Sequence, residues 1–174
     1  MPITFDDHCN SCPYNPGNMY AISPNQRQST PLLMEANSGR VLLIFQAPGI
    51  DEWIARKPIC SSNPMSAAAR IRNSLVRLGM SRTHFSITNA TQCYPGKGNS
   101  TRDKRPLTSA RRCCSNWLKQ DIEALAFTRV IVFGGSAKQS VIELGYSKDP
   151  RFLFLRHPSG GLSNALLDDA LSYA

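Results

Sequence analysis

The sequence predicts an α/β fold, a three-layer α/β/α sandwich with a central four-stranded parallel sheet. Three observations carry this expectation. Four short strand-like segments recur along the 174 residues, and the first, Val41 to Phe45, is a continuous apolar run of the kind that suits a strand covered on both faces. The stretches between them carry apolar residues at helical spacing, so strand and helix alternate, the pattern of a parallel sheet flanked by helices. The chain is 41% apolar, enough for one sizeable core and one domain spanning residues 1–174.

Residues 1–40 are rich in Pro, Asn, Ser and Gly and lack a sustained period, so they read as an irregular arm. An arm of that length needs an anchor, and Cys9 and Cys12 are placed to provide one. The first strand is Val41-Leu42-Leu43-Ile44-Phe45. A helix follows from Ala67 to Leu78, with Ile71, Leu75 and Leu78 on one face and Gly79 as its C-cap. Phe85 to Thr88 is the second strand. Ser109 to Ala126 reads as one helix, with Trp117, Leu118, Ile122 and Leu125 facing inward. Val130 to Phe133 is the third strand, ended by Gly134-Gly135, and Ala137 to Leu144 a short helix. Phe152 to Leu155 is the fourth strand, and Leu166 to Tyr173 the closing helix.

This order tells where to look for chemistry. In open parallel sheets, ligands bind outside the carboxyl ends of the strands. Gln46-Ala47-Pro48-Gly49 follows the first strand, Asn89 the second and His157-Pro158-Ser159 the fourth. Three separate segments therefore converge on one expected cleft.

Charge and cysteine content narrow the partners. Lys and Arg outnumber Asp and Glu by 20 to 12, a net +8 that suits a polyanion such as DNA. Lys97, Arg102, Lys104, Arg105, Arg111 and Arg112 crowd one stretch in which Asp103 is the sole acid. No apolar run is long enough to span a membrane, and the N-terminus lacks the apolar core of a secretory signal. The expectation is a cytoplasmic (intracellular) monomer with no membrane partner. In that compartment the six cysteines suit metal ligation or buried thiols better than disulfides. Cys9 and Cys12 form a CxxC, Cys93 follows the second strand, and Cys113-Cys114 lie in a helical run. Four such thiolates suit an iron–sulfur cluster, and four-cysteine sites also bind zinc. Cys60 stands apart and reads as a buried thiol.

At these residues the chain resembles the iron–sulfur branch, usually called family 4, of the uracil-DNA glycosylase superfamily. The matching stretches are Gln46-Ala47-Pro48-Gly49-Ile50-Asp51-Glu52 with Pro58-Ile59, Ile87-Thr88-Asn89 with Cys93, Cys114 with Leu118, Ile122 and Glu123, and His157-Pro158-Ser159-Gly160. The resemblance implies a DNA glycosylase that flips out and excises uracil or a related altered pyrimidine. It implies a structural [4Fe-4S] cluster on Cys9, Cys12, Cys93 and Cys114, with Cys113 as the ligand if the register shifts by one. It gives Asn89 the base edge to read, since an amide offers both donor and acceptor; a turn former is the plain alternative. It gives His157 the negative charge that builds on the departing base. The Ala47-Pro48-Gly49 turn would bring backbone close to the base, with Gln46, Ile59 and Ser159 around it. Leu162 would be either a wedge filling the gap in the duplex or a buried first-turn residue.

The chain also departs from that pattern. Gln46 replaces a Glu, Ile59 replaces a Phe that stacks on uracil, and Ala47 stands where the best-known branch has a water-activating Asp. Asp51 and Glu52 are then the candidates to position water, or else solvated loop acids. The segment from Cys93 to Cys114 is longer and more basic than usual. These departures open two alternatives: a relative that acts on a bulkier modified base, and a DNA-binding protein that does not cleave.

Overall fold

Apolar runs flanked by helical segments fold here so that every sheet face is covered. The computed structural model describes residues 7–15, 31–98 and 102–174. The rest of the expected arm and a short piece of the basic stretch lie outside them. Among the described residues the elements run α1 (Asp7–Asn10), β1 (Val41–Phe45), α2 (Ile50–Ala55), α3 (Ala67–Leu78), β2 (Phe85–Asn89), α4 (Thr108–Cys113), α5 (Ser115–Glu123), β3 (Arg129–Phe133), α6 (Gly135–Glu143), β4 (Phe152–Leu155) and α7 (Asn164–Leu171).

The four strands form one parallel sheet in the order β2-β1-β3-β4, as the α/β sandwich requires. Alternate residues of each strand divide between two cores. Val41, Leu43, Phe45, Ile131 and Phe133 face α3 and α7, meeting Ile71, Leu75, Leu167 and Leu171. Leu42, Ile44, Val130 and Val132 face α5 and α6, meeting Leu118, Ile122, Ala137 and Val141. Burying one such side chain stabilises the fold by about 1.5–3 kcal/mol.

Helix ends follow their side chains. The Ser66 hydroxyl accepts from the Ala69 N–H at 3.1 Å to start α3, whose bounds match the sequence expectation, and Gly79 ends it. The expected helix over 109–126 is instead two, broken at Cys114. There the Ser115 hydroxyl donates to the Arg112 carbonyl at 2.7 Å, competing with the helical ladder. Leu125 is exposed rather than inward, because the chain leaves α5 early and buries Phe127 instead. Three details of the arm and first loop also differ from expectation. Cys9 lies on the one-turn helix α1, and Asp51 and Glu52 open the helix α2 instead of lying in a loop. Cys60 is half-buried, its thiol directed to the Asp51 carbonyl at 3.9 Å.

Candidate active site

β1 connects toward β2 on one side of the sheet, while β3 and β4 build outward on the other. The point where the order reverses lies between β1 and β3. Crevices open at the carboxyl ends of strands at such a point. Phe45 and Phe133 end these two strands and stack there, centroids 4.9 Å apart. The His157 ring, arriving from β4, meets Phe45 edge-on at 6.3 Å.

Gly134 makes room for that histidine. Its φ is +89°, and a Cβ there would come within 3.4 Å of the His157 Cβ. A side chain at residue 134 would be strained by the backbone and would crowd the imidazole. The ring Nδ1 is 2.8 Å from the Ser159 hydroxyl. Burial pushes the His157 pKa below its ordinary value, favouring the neutral ring. Arg70 of α3 secures the loop that follows, donating to the Pro158 carbonyl, to Leu162 O at 2.6 Å and to Asn164 Oδ1 at 2.8 Å.

On the other side, the Ala90 N–H donates to Phe45 O at 2.7 Å and the Thr91 N–H to Gln46 O at 3.0 Å. These bonds carry the β1–β2 pairing past the strand ends. They set Gln46 just beyond Asn89 across the pair, whose last register partners are Phe45 and Asn89. Asn89 is only 2% exposed. The buried side-chain atoms left without a partner among the described residues are Thr91 Oγ1 and Gln92 Oε1, just beyond Asn89.

The turn after β1 is lined with acid. Pro48 is buried, Gln46, Ala47 and Gly49 half-buried. A Cβ on Gly49 would lie 2.6 Å from Glu52 Oε2 and 3.1 Å from Asp103 Oδ2, so both carboxylates press on this turn. The other Glu52 oxygen accepts from the Ser61 N–H at 3.3 Å, and Asp51 accepts from the Ser61 hydroxyl at 2.6 Å. The sequence marked Asp103 only as the lone acid of a basic run; its arrival here depends on a long-range fold-back.

Two expected residues behave differently. Leu162 is 5% exposed and packed with Phe45, Ile59 and Leu167, so its side chain belongs to the core and is not displayed as a wedge. Ile59 joins the same core with φ +49°, an unusual conformation for a β-branched residue. Arg82 braces it, donating to the Ile59 carbonyl at 2.7 Å and to the Pro58 carbonyl while pairing with Glu35 at 2.7 Å. Nothing in the local sequence flags Arg82 for this task.

The cysteines gather away from this edge. Cys12, Cys93, Tyr14, Trp53 and Tyr94 share a third apolar cluster with the half-buried Cys113 beside it. Cys9 and Cys114 are buried as well. No disulfide joins any of the six cysteines. The Cys114 thiol feels Cys12, Cys9 and Cys113, and Cys93 feels Cys114, Cys12 and Cys9. Burial, reinforced by these neighbours, pushes the Cys12 thiol up to about 12 and raises Cys93 and Cys114 as well. Thiols in such a place stay protonated unless a cation joins them. Donors already face the sulfurs: the Trp117 indole N–H reaches Cys9 Sγ at 3.3 Å, and backbone N–H groups of Tyr14 and Gln92 face Cys12 and Cys114. A four-thiol set with N–H donors around it fits the chemistry of an iron–sulfur cluster. No group of three or more His, Cys, Asp or Glu side chains among the described residues closes around a single ion.

The basic stretch divides. Arg111 is buried, and its guanidinium pairs with Glu143 at 3.2 Å and with the Ser140 hydroxyl. It is therefore a structural charge, not part of a DNA-facing patch. Arg102, Lys104, Arg105 and Arg112 are exposed. No helix among the described residues is long and apolar enough to cross a membrane.

No curated protein matches this sequence. A family model does, over residues 34–172, a span that includes every strand, both ends of the His157–Asn89 edge and the Cys93 and Cys114 thiols. By that match the chain belongs to the uracil DNA glycosylase superfamily.

Proposed function

We propose that this member of a DNA glycosylase superfamily flips out and hydrolytically excises uracil, or a related altered pyrimidine, from DNA. The observation that carries this reading is that His157 and Asn89 flank Phe45 at the carboxyl end of the sheet, His157 meeting the Phe45 ring edge-on at 6.3 Å as a half-buried ring favoured as neutral, and Asn89, 2% exposed, ending β2 as the register partner of Phe45. A flipped pyrimidine offers the Asn89 amide an acceptor and a donor on its Watson–Crick edge.

Breaking the N-glycosidic bond leaves electrons on the base and positive charge on the sugar. With the Ser159 hydroxyl donating to Nδ1, the neutral His157 ring keeps its proton on Nε2. That N–H donates to the base oxygen as negative charge develops there. A fixed donor in a place with little water stabilises such charge at no reorganisation cost, a contribution of about 2.7–4 kcal/mol for one donor. Gln46 and the Ala47-Pro48-Gly49 turn bound the base on the β1 side.

Cys9, Cys12, Cys93 and Cys114 would hold a [4Fe-4S] cluster. When bound, the cluster supplies a covalent crosslink between the arm and the core, and the excision chemistry is left to the strand-end residues.

Incubation with a uracil-containing oligonucleotide followed by alkali tests the function. Excision leaves an alkali-labile abasic site and a cleaved strand. A panel of modified pyrimidines belongs in the same assay, because Ile59 favours a second reading. Its side chain is packed into the core and offers no aromatic face, which suits a bulkier base. Tight binding of DNA with no cleavage of any substrate would instead support a non-cleaving binding protein.

A further inference from the structure

We propose that Asp103 is a catalytic residue of this site, the carboxylate that positions the attacking water and takes its proton; the inference rests on the glycosylase reading above. The basic stretch does not trail away from the sheet. Lys97 and Asp103 form an antiparallel bridge, the Lys104 N–H donates to Gly96 O at 2.8 Å, and the Gly98 N–H donates to Arg102 O at 3.1 Å. This hairpin turns the chain back on the β1 turn and brings Asp103 Oδ2 to Gly49. The buried Tyr94 hydroxyl donates to Oδ1 at 3.1 Å and fixes the carboxylate from behind. Oδ2 has no hydrogen-bond partner among the described residues.

Two other acids border the turn, and both fit the task less well. Asp51 is engaged by the Ser61 hydroxyl. Glu52 is 8% exposed and its Oε1 is held by the Ser61 N–H. Asp103 is exposed and lies among Lys97, Arg102 and Lys104. A carboxylate there repels DNA phosphates, so its buried tether needs a reason other than affinity.

The chemistry balances with this one base. The bond between C1′ and the base nitrogen breaks, and its electron pair leaves with the base, where the His157 N–H meets the charge. A water oxygen bonds to C1′, and its proton passes to Asp103. Before the attack, the same anion stabilises the positive sugar. Tyr94, Lys97, Asp51 and, across Gly49, Glu52 are the titratable groups facing Asp103. Although the residue as a whole is exposed, partial desolvation of its carboxylate, outweighing the Tyr94 hydrogen bond and Lys97, raises its pKa above the ordinary carboxylate value.

The test compares wild type, Asp103→Asn, Asp103→Glu and Glu52→Gln in single-turnover excision from pH 4 to 8 (a range on the order of the carboxylate titration), with DNA affinity measured alongside. Asp103→Asn should lose about a hundredfold or more in rate, the scale for a general base. It should also lose the fall in rate on the acid side and bind DNA at least as tightly. Asp103→Glu should recover part of the rate. An Asp103→Asn protein within about threefold of wild type, with its acid limb intact, overturns the role, and a larger loss in Glu52→Gln would move it to Glu52. Wild type inactive on every base of the panel overturns the glycosylase reading itself, so the two failures are distinct.

Discussion

The carboxyl edge of the sheet and the cysteine cluster handle polar groups in opposite ways. At the edge, Thr91 Oγ1 is buried without a partner among the described residues, and Asp103 has Oδ1 held by Tyr94 with Oδ2 turned to Gly49. Gly134 and Gly49 keep space that a side chain would fill. Around the thiols, apolar and aromatic walls shut out water, and N–H donors already point at sulfur. Hydrogen-bonding capacity left open suits a guest that arrives and leaves, and a sealed donor shell suits one that stays. The two regions are joined by five residues of chain, from Asn89 to Cys93.

The sharpest way to break this contrast is to open the sealed side. The protein should be brown, with about four iron atoms per chain. Cys114→Ser should lose iron and cooperative folding together, because the thiol is buried against Cys12, Cys9 and Cys93. Cys113→Ser should keep both, since Cys113 is only half-buried and leans toward the Ser11 hydroxyl at 3.8 Å. Iron content and thermal melts decide the matter; a colourless protein with stoichiometric zinc would refute the cluster.

Breaking the open side should spare the fold. His157→Ala is expected to cost about a hundredfold or more in excision, the scale for one lost donor to developing charge. Iron content, melting temperature and DNA affinity should be unchanged, because the ring bonds to nothing structural beyond Ser159. Full activity in this variant would move the chemistry away from β4.

The contrast also explains what could be read in advance. The first strand was legible because Val41–Phe45 is buried on both faces and therefore unbroken in apolar character, and Val130–Phe133 follows the same rule. The α3 bounds were legible because Ser66 and Gly79 cap it locally. The places of Asn89, the last residue of β2, and His157, two residues past β4, were legible from the strand ends. Long-range contacts were not. Arg82 reaches back to Pro58 and Ile59, Asp103 to Gly49, and Arg111 across to Glu143, and no local pattern encodes those meetings. Leu162 was ambiguous in the sequence for the same reason: an apolar residue at a helix start serves a core or a wedge equally, and packing decides.

Asp121 tests the short connection between the two regions. Its carboxylate, on α5, accepts from the Thr88 hydroxyl and from Gln92 Nε2 at 3.0 Å, bracketing Asn89 on one side and approaching Cys93 on the other. Burial pushes its pKa up to about 6, despite those two donors. The folded state therefore holds a proton that the unfolded chain releases at lower pH, and stability falls as pH rises from about 4 to about 6. Asp121→Asn keeps an acceptor for both donors and carries no charge. It should remove this pH dependence and stabilise the fold at pH 7.5 by about 1–3 kcal/mol. Urea melts at several pH values measure it, and an unchanged pH profile would show that the carboxylate is already solvated.

The smallest expected effect separates two kinds of basic residue that look alike in the sequence. Lys104 and Arg105 are exposed on and just beyond the hairpin that carries Asp103, whereas Arg111 is buried on α4, three residues before Cys114. Each phosphate contact releases a counterion, so Lys104→Gln or Arg105→Gln should lower the salt slope of DNA binding by about one. Arg111→Gln should leave that slope alone and cost about 1–2 kcal/mol of stability, because it strands hydrogen-bond partners at Ser140 and Glu143. DNA titrations at four or so salt concentrations, paired with melts of the same proteins, resolve the two effects. A reduced slope in Arg111→Gln would mean that α4 turns its buried charge toward DNA on binding. The cysteine side of the molecule would then be part of the DNA-facing surface, and the division between a sealed region and an open one would fail at that helix.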